Sequence, residues 1–213
     1  SKLFPSKLFN DKSLTKSEFI KTAGKAKVLH LAMHAEVNND YPGLSRLLFS
    51  DSFEKEEDHL YLEELYGLSL SAELAILSAC NTGDGLEKNG SLESFQRAFT
   101  FAGVPATVAS LWEVPDSSTE QIMVFFYKNL KVGQTKSEAL RNAKLSFKNK
   151  NAYNKLSAPY FWAGFVVYGS DSPISYNYSA LPFYIIAVII FVIIIILYRR
   201  RKVKLRSCIR DEM

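Results

Sequence analysis

Two residues that can carry out thiol chemistry, Cys80 and His34, each follow an apolar stretch of the chain. His34 follows the run 27–33, and Cys80 follows the run 73–79. A thiol with a pKa of about 8.5 is only slightly ionised at neutral pH, so it needs a base to act as a nucleophile. A histidine can take the thiol proton and later protonate a leaving amine. The two residue types are therefore the minimal pair for acyl transfer through a thioester.

The loop after Cys80 adds a second feature of such a site. Residues 81–85 (NTGDG) are turn-forming types that leave backbone N–H groups available to stabilise an oxyanion. Each signal alone has an ordinary alternative, because a cysteine after an apolar strand is commonly a buried structural thiol. A histidine beside a strand is likewise commonly a core or surface residue. His30, inside the first run, is predicted to be structural.

Strands that alternate with helices must position these residues. Apolar runs predict buried strands at 27–33, 73–79, 106–112 and 161–168. Helices are predicted at 13–22, at 92–102, from a cap within 116–118 up to residue 130, and at 135–147. Between the first two strands lie an apolar stretch (44–49), an acidic turn (53–59) and a short strand leading into a helix (60–65). The alternation predicts a parallel α/β sheet with helices on both faces, whose carboxyl edge collects the active residues.

A membrane span is predicted near the end of the chain. Residues 180–198 form an uncharged run of 19 residues, and at about 1.5 Å per residue this run matches the hydrocarbon thickness of a bilayer. Residues 199–213 carry a net charge of +5 against +4 for the whole chain, so the preceding 198 residues sum to −1. The positive-inside rule then predicts a single-pass protein with the basic tail in the cytoplasm and the folded domain on the other side.

Six stretches of the chain resemble the CHAT-domain family, caspase-like peptidases related to separase. They are VLHLAMHA, ELAILSACNTGDG, FQRAFTFAGVPATVASLWEVPDSST, FFYKNL, GQTKSEALRNAKLSF and APYFWAGFVVYGS. The resemblance implies a caspase-like α/β/α sandwich with a mostly parallel sheet, and a Cys–His dyad that cuts a peptide bond. Cys80 matches the nucleophile of that dyad and His34 its histidine. The backbone N–H groups of Ala35 and Cys80 match the oxyanion hole.

The resemblance and the uncharged run at 180–198 together predict an organisation for the chain. We expect a CHAT domain at 1–170 that is truncated at its N-terminus, a linker at 171–179, the transmembrane helix at 180–198 and the basic tail at 199–213. The chain begins at Ser1 without an initiator Met, so we expect it to be the C-terminal part of a longer protein. In the family, such a domain often follows repeats that bind protein partners.

Two positions depart from the family pattern. Ala35 stands where members usually have a glycine after the catalytic histidine, and Asn89-Gly90-Ser91 stands where many have Gly-Glu-Gly. Alanine keeps the N–H but disfavours a positive φ. The first functional hypothesis is a membrane-anchored cysteine endopeptidase. The alternative is a catalytically inactive CHAT module that acts as a signalling scaffold or protein-interaction domain.

Acidic residues after the third predicted strand suggest a substrate preference. Glu113 and Asp116 lie near the carboxyl edge of the predicted sheet. In separase-like relatives an acidic residue in this region receives a basic P1 side chain, so these two residues are candidates to line an S1 pocket for Arg or Lys. The alternative for Asp116 is that it only caps a helix starting at Ser117.

Several other function classes are excluded. A domain with a net charge of −1 lacks the basic character of a nucleic-acid-binding protein. The loop 81–85 fits neither the P-loop nor the dinucleotide-binding glycine pattern. The two cysteines and three histidines show no zinc-ligand spacing. We therefore expect no metal, no cofactor and no nucleic acid, and a protein or peptide as the substrate.

Overall fold

The computed structural model describes residues 6–9, 15–38, 40–49, 56–78, 90–175 and 191, with the side chains of 90–94 left out. The chain divides into two units, Ser1–Ile174 and Ser175–Met213. The described helices of the first unit are α1 (Lys16–Ala23), α2 (Leu62–Tyr66), α3 (Gly90–Phe101), α4 (Asp116–Lys131) and α5 (Lys136–Lys150). Its described strands are β1 (Val28–Leu31), β2 (His34–Glu36), β3 (Arg46–Leu48), β4 (His59–Tyr61), β5 (Leu74–Leu77), β6 (Ala106–Ser110) and β7 (Phe165–Gly169).

The main sheet has the strand order β1–β5–β6–β7. The first three strands are parallel, and β7 runs antiparallel to β6. A single helix after β6 would return the chain to the amino edge for another parallel strand. Two helices, α4 and α5, follow instead, so the chain comes back at the carboxyl edge and β7 runs the other way. The expected mixed α/β fold with a mostly parallel sheet is confirmed.

A second, antiparallel sheet of three short strands, β2–β3–β4, is inserted between β1 and β5. The first predicted strand, 27–33, is present as the shorter β1, which ends at Leu31, and His34 begins β2 of the small sheet. In this sheet Ala35, Leu47 and Leu60 are paired side by side and buried. One side of the small sheet therefore belongs to the hydrophobic core, and alternation puts His34 on the other side.

Helices cover both faces of the main sheet. On one face Leu31, Ala75 and Ala109 share a hydrophobic cluster with residues of α1, α3 and the small sheet. Alternation turns Leu74, Ile76 and Val108 to the opposite face, where all three are buried. Helix α4 lies on that second face, since its Tyr127 contacts His30 of β1. The predicted layers are therefore present.

The ends of the helices agree in part with the sequence. Thr15 caps α1 by accepting a hydrogen bond from the Glu18 N–H at 3.2 Å. Thr135 and Glu138 form a capping box on α5. Gly103, just after α3, has φ +102°, and a Cβ there would lie 2.6 Å from the Leu70 carbonyl oxygen. These signals are local, so the sequence predicted the helices within a few residues.

The predicted membrane span cannot be compared with a described helix. Residues 180–198 lie outside the described residues apart from Phe191, which is helical. Within the part of the chain that the structure describes, none of the helices is long and apolar enough to cross a membrane. The domain boundaries predicted from the sequence stay predictions.

Candidate active site

His34 is the first residue of β2 and is exposed. Only two residues separate it from the end of β1, so its backbone lies within about 10 Å of the carboxyl edge of the main sheet. The neighbouring Ala35 is buried in the core and anchors the strand from behind. The chain therefore presents the imidazole from the side of the small sheet that faces away from the core, close to the edge where the site was predicted.

The other member of the predicted pair follows β5. All four residues of β5 are buried, and Ser78 is the last residue described before position 80. Cys80 and the predicted oxyanion loop 81–85 lie outside the described residues. The pairing of Cys80 with His34 and the role of the Cys80 N–H therefore stay predictions.

Ser78 is held at the end of β5 by β1. Its backbone N–H donates to the Leu31 carbonyl at 3.0 Å. Its Oγ lies 2.9 Å from Nε2 of His30, and Nδ1 of the same ring lies 3.0 Å from the Tyr127 hydroxyl of α4. The sequence predicts a structural role for His30. In the structure its ring links the end of β5 to helix α4.

Desolvation lowers the pKa of His30 to about 4, although the residue as a whole is exposed. With its pKa below the ordinary value, the ring is neutral at pH 7.5. A neutral imidazole has one donor and one acceptor nitrogen, and the hydroxyls of Ser78 and Tyr127 can serve either role.

The sheet that carries His34 is tied together by a polar network on the same side. Arg46 donates through Nε to Glu36 Oε2 at 2.7 Å and through Nη1 to the Tyr61 hydroxyl at 3.2 Å. Its Nη1 also lies 3.2 Å from Nδ1 of His59, a buried residue. The pKa of Arg46 is raised, first by its hydrogen bond to Tyr61 and then by Glu36. Since these partners lie on β2 and β4, Arg46 fixes the register of all three strands.

The two acidic candidates lie beyond β6. Glu113 and Asp116 are both exposed. The predicted cap is wrong: α4 begins at Asp116 itself, with Pro115 in the capping position and no side-chain hydrogen bond there. Proline before the first turn fixes the entry of the helix without a side-chain cap. Asp116 then lies in the first turn, where a carboxylate is favoured by the helix dipole.

A model of the CHAT domain family matches residues 1–170 of the chain. The chain belongs to the CHAT domain family. No curated protein gives a significant match. CHAT domains are caspase-like, which agrees with the fold described above and is consistent with a peptidase.

The alanine after His34 is compatible with the backbone of this CHAT domain. Ala35 lies inside β2, and in the described part of the chain no residue other than glycine has a positive φ. Its side chain is buried beside Leu47 and Leu60. The backbone conformation at this position therefore does not require glycine, and the methyl group adds to the core.

Sequence reasoning missed the partners of His30 and the ion pair of Arg46 in the CHAT domain. Ser78 and Tyr127 lie 48 and 97 residues from His30 along the chain. Arg46 stands ten residues from Glu36, in a strand too short for alternation to be recognised. A polar residue within an apolar run, as His30 is, was the one available signal.

Proposed function

We propose that this CHAT domain is a cysteine endopeptidase in which Cys80 is the nucleophile and His34 the general base. The observation that supports it most is the placement of His34. An exposed imidazole stands on a braced strand near the carboxyl edge of the sheet, in a chain of a caspase-like family. Strand β5 ends at the same edge and leads into Cys80.

The proposed reaction proceeds through a thioester. His34 takes the thiol proton, and the Cys80 sulfur attacks the carbonyl carbon of the scissile bond. The backbone N–H groups of Ala35 and Cys80 donate to the oxyanion that forms. His34 then protonates the leaving amine, the C–N bond breaks, and water hydrolyses the thioester with the same imidazole as base.

The decisive experiment compares two single-cysteine variants. The chain has two cysteines, so Cys80→Ala and Cys208→Ala form a matched pair. The 213-residue chain in detergent is incubated with a peptide mixture and with a peptidyl acyloxymethyl ketone, and both reactions are read by mass spectrometry. We expect Cys80→Ala to lose cleavage and labelling and Cys208→Ala to keep both.

His34→Ala tests the base. The residue is exposed, so this variant keeps the fold, and we expect kcat to fall by about 10²-fold or more. If wild-type protein neither cleaves peptides nor labels at Cys80, the endopeptidase proposal fails. The hypothesis of a catalytically inactive scaffold is then favoured. The sequence observation that supports it is Asn89-Gly90-Ser91 in place of the family's Gly-Glu-Gly.

We further propose that Asp116, assisted by Glu113, selects a basic P1 residue. The start of α4 at Asp116 supports this, because it removes the alternative that the side chain serves as the helix cap. The test compares cleavage of peptides with P1 Arg, Lys, Leu and Asp by wild type, Asp116→Asn and Glu120→Gln. Glu120 is an exposed acid one turn further along α4 and serves as the control. An unchanged Arg/Lys preference in Asp116→Asn would contradict the assignment.

The membrane anchor remains part of the proposal. The support is the uncharged run 180–198 and the seven basic residues that follow it. We propose one span, with the basic tail cytoplasmic and the CHAT domain on the other side. Cysteine-accessibility labelling at an added C-terminal cysteine, in the Cys208→Ala background, tests the orientation in intact cells. Labelling of that cysteine by an impermeant reagent would contradict it.

A further inference from the structure

His30 is held by hydrogen bonds that its packing position alone does not demand. It pairs in register with Ile76 on the inner strand β5, and alternation puts both side chains on the face covered by α4. Neighbours on that face, such as Ile76 and Phe126, are apolar and fully buried. Strand β1 is an edge strand of the sheet and His30 is exposed there, so two directed polar contacts rather than burial hold its ring in place.

Those two contacts have different destinations. Nε2 reaches Ser78 Oγ at 2.9 Å, and Ser78 is also fastened to β1 through its backbone N–H. Nδ1 reaches the Tyr127 hydroxyl at 3.0 Å, and the two rings lie 5.8 Å apart at a tilt of 42°. The imidazole is thus braced by α4 on one side and holds the end of β5 on the other.

The residue being held is two positions before Cys80 in the chain. Consecutive Cα atoms are about 3.8 Å apart, so the position of a residue limits where a residue two places later in the chain can lie. Misplacement of a catalytic group by about 1 Å can reduce the rate by as much as 10²-fold. We propose that His30 is a positioning residue: through its Nε2–Ser78 hydrogen bond it sets where the chain leaves β5 and thereby aligns Cys80 with His34. This inference rests on the proposed function.

Two polar substitutions of His30 distinguish the hydrogen bond at Nε2 from the hydrogen bond at Nδ1. The amide of glutamine can occupy the place of Nε2, and the amide of asparagine the place of Nδ1. His30→Gln therefore keeps the contact to Ser78, and His30→Asn keeps the contact to Tyr127. We expect His30→Asn and Ser78→Ala each to lower kcat about tenfold with little change in KM, and His30→Gln to stay within about threefold of wild type.

The double variant His30→Asn/Ser78→Ala completes a cycle. If the two residues act through one hydrogen bond, its kcat is no lower than that of the worse single variant. If the fold-reductions in kcat of the two single variants multiply in the double variant, the proposal is overturned. It is also overturned if His30→Gln and His30→Asn lower kcat equally. Tyr127→Phe removes the hydroxyl that contacts Nδ1 of His30 but leaves Ser78 unchanged, and its effect on kcat should be smaller than that of Ser78→Ala.

A second readout does not depend on peptidase activity. In the Cys208→Ala background, iodoacetamide reacts with Cys80 alone, and its rate reports how well the thiol is activated. We expect this rate to follow the kcat order of the variants while their melting temperatures do not. If Cys80 reacts rapidly and shows this order but no peptide is cleaved, the proposed function fails and the positioning role stands. If the rate follows the melting temperature alone, the positioning role fails.

Discussion

The two edges of the main sheet are built differently. At the amino edge, close backbone contacts and buried polar groups fasten β7 and the segment after it. At the carboxyl edge, polar side chains such as His34, Glu113 and Asp116 are exposed. The contrast separates the part of the domain that fixes the fold from the part that is available for chemistry.

The amino edge is closed by residues that follow β7. Lys136, buried at the start of α5, donates from Nζ to the Ser172 carbonyl at 2.5 Å. The Ser137 N–H donates to Asp171 Oδ1 at 2.6 Å, and this bond is the main reason that the pKa of Asp171 is lowered. Ile174 is 3% exposed. The chain therefore stays attached to the domain for several residues beyond the last strand.

Glycine at the end of β7 gives the largest expected effect. Gly169 has φ +84°, and a Cβ there would overlap the Pro105 carbonyl oxygen. We expect Gly169→Ala to destabilise the domain by roughly 3 kcal/mol, from the left-handed backbone and the overlap together. Urea unfolding measures this loss.

Gly133 provides the matched control for that loss. Its φ is +85°, nearly the same, but a Cβ there has nothing within 4 Å. Gly133→Ala should therefore cost only about 1–2 kcal/mol, the backbone term alone. If the two variants lose the same free energy of unfolding, the close approach of Gly169 to the Pro105 carbonyl oxygen does not add to the cost of the substitution.

The buried lysine gives the next largest effect. Lys136→Met keeps the apolar stem but leaves the Ser172 carbonyl without its donor, and we expect a loss of about 1–2 kcal/mol. Burial lowers the pKa of Lys136, because desolvation disfavours the charged ammonium group. Faster hydrogen exchange in 170–174 should accompany the loss, because Asp171 and Ser172 in this segment are hydrogen-bonded to the start of α5.

The control for Lys136 is a lysine at the surface. Lys21 is 77% exposed in its side chain and lies 3.9 Å from Glu18. Lys21→Met should change stability by no more than about 0.5 kcal/mol. If Lys136→Met changes stability as little as this, and hydrogen exchange in 170–174 is unchanged, the Lys136–Ser172 hydrogen bond does not hold the segment.

The sequence predicted the main sheet well and its edges less well. Strand β5 is a continuous apolar run, and α5 combines a capping box at Thr135 with a helical period, so both could be recognised locally. The direction of β7 depends on how many helices precede it. The strand that begins at His34 has three residues, one of them polar and one charged, so its pattern is too short to read.

The candidate site was predicted in its residue types more than in its support. His34 and Ala35 could be chosen from the resemblance to the CHAT family. The Ser78–His30–Tyr127 contacts join residues up to 97 positions apart, and only tertiary structure brings them together. Cys80 lies outside the described residues, so its pairing stays a prediction.

At the carboxyl edge we expect a small effect on stability and a larger one on activity. Arg46→Met removes the ion pair with Glu36, in which Nη2 and Oε2 are 2.5 Å apart. It thereby removes a contact that fixes the register between β2 and β3. Both side chains are partly exposed, so the loss should be about 1 kcal/mol, or a fall in Tm of about 2–4 °C. Displacement of His34 should lower kcat several-fold.

Glu36→Gln is the milder partner of that change. It keeps an acceptor for Arg46 but removes the charge, so its effects on Tm and kcat should both be smaller than those of Arg46→Met. A fall in Tm without a fall in kcat for Arg46→Met would mean that the network supports the fold and not the placement of His34.

The smallest expected effect is the pH dependence that His30 adds to stability. Its folded-state pKa, about 4, lies below the ordinary value of 6.5, so the unfolded chain binds this proton more readily than the folded one. The stabilisation is fully present above pH 6.5 and is lost as the pH falls towards 4. The wild type should therefore lose more free energy of unfolding between pH 7.5 and pH 5 than His30→Gln. The described carboxylates with lowered pKa values, Glu18, Glu64 and Asp171, are the same in both proteins and cancel in this difference. If the free energies of unfolding of the two proteins, measured in urea, change with pH in the same way, solvent at the exposed ring removes the pKa shift. His30 then makes no pH-dependent contribution to stability.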